Sequence, residues 1–140
     1  MPAFPASKEV VMRYFALLMV LIAAFATAGY AKEPESINVR LGQTQTADHG
    51  KVSVRFISVV EDSRCPMNAR CVWAGNAKIK VAVSVGRRRA EIVELNSNLK
   101  PQTVMVRGYR IALQDLNPQK GQPANWPKRP VKAIVSVEKV

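Results

Sequence analysis

The chain has 140 residues, with 21 Lys and Arg against 10 Asp and Glu, and a formal net charge of +11. That length suits one ordinary domain, and the excess of positive charge points away from cationic partners. One histidine completes no familiar zinc set, and two cysteines spaced C-x5-C form neither a C-x-x-C redox site nor a haem attachment.

Residues 1–31 read as a leader that ends in a secretory signal peptide. Lys8 and Arg13 give a positive n-region, and Tyr14 to Phe25 is an unbroken apolar stretch. Ala26-Thr27-Ala28 and Gly29-Tyr30-Ala31 are two small-x-small cleavage sites. Cleavage is expected after Ala28 or Ala31, leaving residues 32–140 as a single β domain that is periplasmic or secreted. An uncleaved anchor is the alternative, because Tyr14 to Tyr30 is close to the shortest run that spans a bilayer, where roughly 20 residues are usual. Loss of Lys8, Arg13 and Glu9 with the leader leaves a mature charge of about +10.

Lys32 to Ser36 is a polar lead-in. Ile37 to Leu41 alternates as a first strand, and Gly42 to Gly50 reads as a polar loop. Lys51 to Val60 is a second strand, and Ile57, Val59 and Val60 suggest that its later half is covered on both faces. Asp62 to Asn76 holds both cysteines. Lys78 to Val85 has a strict period of two, with Ile79, Val81, Val83 and Val85 on one face and Lys78, Lys80, Ala82 and Ser84 on the other. Gly86-Arg87-Arg88-Arg89 reads as a hairpin tip, with Ala90 to Leu95 as the return strand. Asn96 to Gln102 is a turn-rich link. Thr103 to Val106 and Tyr109 to Leu113 are two strands, or one strand with a glycine bulge. Asn117 to Pro130, with four prolines, is a long loop before a final strand around Val131 to Val137. About seven short strands imply an all-β, small antiparallel sandwich, immunoglobulin-like or Greek key, with a small barrel as the alternative.

An export signal and two cysteines together predict one disulfide, Cys65–Cys71. The chain-entropy model assigns so short a loop roughly 2 to 2.5 kcal/mol. Pro66 stiffens the loop further by fixing its own φ. Trp73 is expected to be a core aromatic packed on the disulfide. A soft site built from Cys65, Cys71, Met67 and His49 would suit Cu(I), but oxidised cysteines supply no thiolate, so no metal or cofactor is expected.

Asp62-Ser-Arg-Cys-Pro, followed by Cys71-Val-Trp-Ala-Gly and the alternating strand from Lys78, resembles a family of small exported bacterial proteins that share S-R-C-P-x4-C-x-W-A-G. Gly108-Tyr109, Arg110 to Leu113 and Pro118 are similar to its later part. The resemblance is specific over about 20 residues and loose elsewhere. It implies an exported β domain with a disulfide. The family carries no assigned activity, so no catalytic residue is carried over.

Catalysis needs converging acid, base or nucleophilic groups. His49 lies in a polar loop, and Glu61 and Asp62, adjacent on an extended chain, face opposite ways. Asp62 is expected to turn the chain and pair with Arg64 or Arg70. The expected class is therefore a monomeric binding module and not an enzyme. Arg87, Arg88 and Arg89 at the hairpin tip, with Lys78 and Lys80, are the candidate contacts for anionic lipid, lipopolysaccharide or an acidic envelope protein. Nucleic acid is excluded as a partner, for want of a binding motif and of aromatics among the basic residues. An inhibitor of a secreted hydrolase and a structural envelope protein without a ligand are the alternatives. N-terminal sequencing of exported protein is expected to read from Gly29 or from Lys32; a chain that retains residues 14–25 would refute the signal peptide.

Overall fold

A computed structural model describes residues 8–24, 32–123 and 125–140. The chain divides into two units, residues 1–31 and 32–140. The first contains α1 (Lys8–Ala24), which holds most of the apolar run. Both expected cleavage sites lie outside the described residues. Among the described residues, no helix is long and apolar enough to cross a membrane.

The second unit is a sandwich of two antiparallel four-stranded sheets, as the sequence predicts, and not a closed barrel. Its strands are β1 (Glu35–Arg40), β2 (Thr44–Ala47), β3 (Val52–Asp62), β4 (Ala77–Val85), β5 (Glu91–Asn96), β6 (Thr103–Val106), β7 (Tyr109–Asn117) and β8 (Lys132–Lys139). One sheet has the order β1-β8-β7-β6 and the other β2-β3-β4-β5. Nearly every strand therefore lies beside its sequence neighbour, and only β1 and β8 close the order. This up-and-down path stands in place of the Greek-key crossing, because most strands within each sheet are joined directly to the next.

β4 shows how the sequence produces the core. Ala77, Ile79, Val81 and Val83 are fully buried, while the residues between them face outward. The same alternation in β8 buries Ala133, Val135 and Val137, and in β7 it buries Tyr109, Ile111 and Leu113. These side chains meet Val52, Val54 and Phe56 of β3 in one cluster, each large one contributing about 1.5–3 kcal/mol when removed from water. Among the described residues, every core residue comes from the 32–140 unit, so that unit carries its own core. Arg87 to Arg89 form the turn between β4 and β5, with Gly86 at φ +62°. β6 and β7 are separate strands joined at Arg107-Gly108.

Two expectations need correction. The stretch from Gly42 to Gly50 contains an eighth strand, β2, hidden by its polar sequence. β2 is an edge strand, and only its Ala47 is buried. The later half of β3 is not covered on both faces, since Ile57, Val59 and Val60 are exposed. The pairing of β3 with β4 shifts register between Phe56 and Ser58 and again between Val59 and Glu61. Such irregularities bend a strand and re-aim its side chains, which disconnects apolar character from burial.

A polar tie joins the two sheets at the end that bears the arginine turn. The Tyr109 hydroxyl of β7 donates to Asp48 Oδ2 at 2.7 Å, just past β2 in the other sheet. Lys32 donates to Asp48 Oδ1, and the Asp48 backbone N–H donates to Glu35 Oε2 at 2.8 Å. Asp48 is 7% exposed. The hydrogen bond from Lys32, then that from Tyr109, holds its carboxyl well below the usual carboxylate range. The lowered pKa means that the tie stabilises the fold fully above the unfolded value of about 4 and loses that contribution as pH falls further. Thermal unfolding should therefore drop between about pH 4 and pH 2. Asp48→Asn should melt lower than wild type at neutral pH and lose less across that acidic window; an unchanged acid slope would refute the assignment.

Candidate functional site

The strands run between two ends of the sandwich, and the chemistry-bearing side chains collect at both. At the first end lie the β2–β3 turn, the arginine turn and the Arg107-Gly108 turn. Arg87, Arg88 and Arg89 are all exposed. None of the three forms an ion pair among the described residues. The Gly86 N–H donates to Lys51 O at 2.7 Å, which brings a fourth cation beside the turn. Arg107 Nε forms an ion pair with Glu91 Oε1 at 2.8 Å, which ties the β6–β7 turn to the start of β5. His49 is mostly exposed, as a solvated loop residue should be.

Lys78 and Lys80 are in a different setting. They lie on the outer face of β4, half-buried, and each has an acidic residue across the sheet. Lys78 pairs in register with Glu61 of β3, and Lys80 with Glu94 of β5. Lys80 is five residues from Val85, roughly 17 Å along the strand. The sandwich therefore brings the three arginines together and leaves the two lysines apart from them, at mid-strand and at the opposite end.

At the opposite end, the disulfide loop packs on the links after β5 and β7. Cys65 and Cys71 are bonded, with Cα atoms 5.8 Å apart, inside the range that disulfides occupy. Asp62 pairs with Arg64, which was one of its two expected partners. Arg64 donates to Asp62 Oδ1 at 2.8 Å and Oδ2 at 2.9 Å, and also to the carbonyls of Leu116 and Pro118. This fork pins the loop to the end of β7. It also lowers the Asp62 pKa and raises that of Arg64.

Asn76 is the buried hub of this end, and nothing in its sequence context marks it. It is 1% exposed. Its amide nitrogen donates to Asn96 Oδ1 at 3.0 Å, and its Oδ1 accepts from the backbone N–H groups of Asn98 and Leu99 at 3.1 and 3.2 Å. Its backbone carbonyl accepts from Ser63 N at 2.8 Å. Gly75, at φ +68°, lies so close to the Ser63 backbone that a Cβ there would collide with it.

Trp73 is the clearest departure from expectation. It is 68% exposed, and Val72 is 96% exposed. The core at this end is already filled by Ile79, Leu95 and Leu116. The Ser63–Asn76 bridge holds the two stems of the loop at the rim, so the disulfide segment projects away from the core. Met67, Leu99 and Trp126 are exposed on the same group of loops, which also carries Arg70, Lys100, Lys120, Lys128 and Arg129. Apolar and cationic groups thus stand side by side without cover. Among the described residues, no three His, Cys, Asp or Glu side chains gather as a metal site.

No family model, curated protein or solved structure matches the chain.

Asn76→Ala removes the acceptor for two backbone N–H groups and the donor to Asn96. A loss of about 2–4 kcal/mol in urea unfolding is expected, because buried polar groups left unpaired cost about 1–3 kcal/mol each. A loss under about 0.5 kcal/mol, the size of an ordinary surface change, would refute the hub.

Proposed function

We propose that the 32–140 unit is an exported, non-catalytic binding domain that engages anionic envelope components through its basic surface. The disulfide suits an oxidising compartment, and the leader supplies the route to it. The supporting observation is the arginine turn: three adjacent cations, all exposed, with no ion pair among the described residues. On a strand they would alternate between faces; at a turn they can fan out toward one surface. Lipid phosphates, lipopolysaccharide phosphates and acidic proteins share the chemistry that such a surface attracts.

A second reading, the inhibitor of a secreted hydrolase, is favoured by Val72 and Trp73 standing exposed directly after the disulfide-bonded Cys71. Rigid aromatic side chains of this kind make good anchors at protein interfaces.

Sedimentation with vesicles separates the two readings. Mixed phosphatidylglycerol–phosphatidylcholine vesicles should bind the domain at low salt and release it near about 0.5 M salt, where the screening length is only a few ångströms. Each cation near an anionic surface contributes about 1 kcal/mol, so the Arg87/Arg88/Arg89→Ala variant should bind up to about a hundredfold more weakly. Equal binding to pure phosphatidylcholine, or binding unaffected by the triple change, would refute the reading. Saturable one-to-one inhibition of a hydrolase, abolished by Trp73→Ala and indifferent to salt, would establish the alternative.

A further inference from the structure

A separate basic cleft opens on the outer face of the β1-β8-β7-β6 sheet, under the link from β7 to β8. Its volume is roughly 290 Å³, and it is lined by Arg40, Asn117, Pro118, Gln122, Arg129, Pro130 and Lys132. Three of these residues are cations, two are amides and none is a carboxylate. We propose that this cleft is a binding site for a phosphate-type oxyanion.

The strand register gives the first reason. Arg40 of β1 lies directly across from Lys132 of β8, and Lys132 lies directly across from Asn117 of β7. The three form one row across three strands. Side chains directly opposite in an antiparallel pair are about 5 Å apart at Cβ, and like charges placed there repel. Elsewhere the sandwich avoids this arrangement: Lys80 faces Glu94, Lys78 faces Glu61 and Arg110 faces Glu138. The Arg40–Lys132 pair has no such neighbour, and the link from β7 adds a third cation, Arg129, to the same cleft.

The second reason is the state of these side chains. None of the three cations forms an ion pair among the described residues. Asn117 gives one amide N–H to Asp115 Oδ2 at 3.2 Å and has a second, and Gln122 is half-buried in the wall. The cleft thus collects N–H donors and positive charge in a partly enclosed place and supplies no anion of its own. A tetrahedral oxyanion satisfies both needs, because its oxygens accept from several donors at once and guanidinium forks match them in pairs. The volume is near the lower end for small-ligand sites, enough for the oxyanion and a small group that carries it. Neither the arginine turn nor the two strand lysines belong to this cleft, so the proposal stands independently of the surface-binding function.

Thermal unfolding of the 32–140 unit in inorganic phosphate, against chloride at equal ionic strength, tests the site. Ligand that binds only the folded state raises the melting temperature in a saturable way. Phosphate should do so and chloride should not. Arg129→Ala and Lys132→Gln should each weaken the apparent phosphate affinity about tenfold, the size expected for one charge-assisted hydrogen bond. The Arg87/Arg88/Arg89→Ala variant should keep the full phosphate response even if it no longer binds vesicles. Arg40→Gln should melt no lower than wild type in chloride, since it removes one of two facing cations. Glycerophosphoglycerol in place of phosphate distinguishes the sources: tighter binding than phosphate assigns a lipid headgroup, and weaker binding assigns free phosphate or a terminal phosphate ester. An equal rise in chloride, an unweakened response in Arg129→Ala and Lys132→Gln, or a lower melting temperature of Arg40→Gln in chloride would overturn the proposal.

Discussion

Burial of one apolar face from each of two sheets constrains everything else in the 32–140 unit. Ile79, Val81 and Val83 of β4 point inward with Phe56 of β3, and Ile111 and Val135 meet them from the other sheet. A strand alternates its side chains, so the residues between these must point out. Strands this short leave most of the chain's cations on outer faces, turns and links. The basic character of the chain is therefore organised by the core: Lys78, Lys80 and Arg110 on the outer faces meet acidic partners in register, while Arg87 to Arg89 at one end and Arg40 and Lys132 at the other have none among the described residues.

The two ends are fastened in different ways. Near the arginine turn, the Asp48–Tyr109 hydrogen bond crosses between the sheets and gathers Lys32 and Glu35 around it. At the other end, Asn76 and Arg64 bind three irregular segments to one another through their backbones. Loops held in this way need little apolar packing of their own. That explains how Val72 and Trp73 can stand in solvent on a loop that is nevertheless stapled, clamped and hydrogen-bonded. It also gives the basic cleft a firm wall, because Arg64 fixes the Leu116 and Pro118 carbonyls next to Asn117.

Legibility in the sequence followed periodicity. β4 could be read residue by residue, because its alternation is uninterrupted. The arginine turn and the break at Arg107-Gly108 were marked by glycine. β2 was invisible because Thr44-Gln45-Thr46 faces solvent on a sheet edge and shows no apolar alternation. Ile57, Val59 and Val60 misled because register shifts, which leave no mark in composition, turn them outward. Trp73 misled because its neighbours in sequence do not reveal that the core below the loop is already full. Asp48 and Asn76 look like ordinary turn residues until their distant partners are placed. The pairing of Arg40 with Lys132 was hidden for the same reason: it joins residues 92 positions apart through strand register alone.

Chemical-shift mapping of the 32–140 unit, with inorganic phosphate and then with anionic nanodiscs, tests most directly the claim that unneutralised charge has been sorted into separate anion-binding surfaces. Two distinct footprints are predicted. Phosphate should move the signals of Arg40, Asn117, Gln122, Arg129 and Lys132, and nanodiscs should broaden those of Gly86 to Arg89. Shifts spread evenly over all exposed lysines and arginines, including Lys78 and Lys80, would mean that the charge acts only in bulk and would contradict the account.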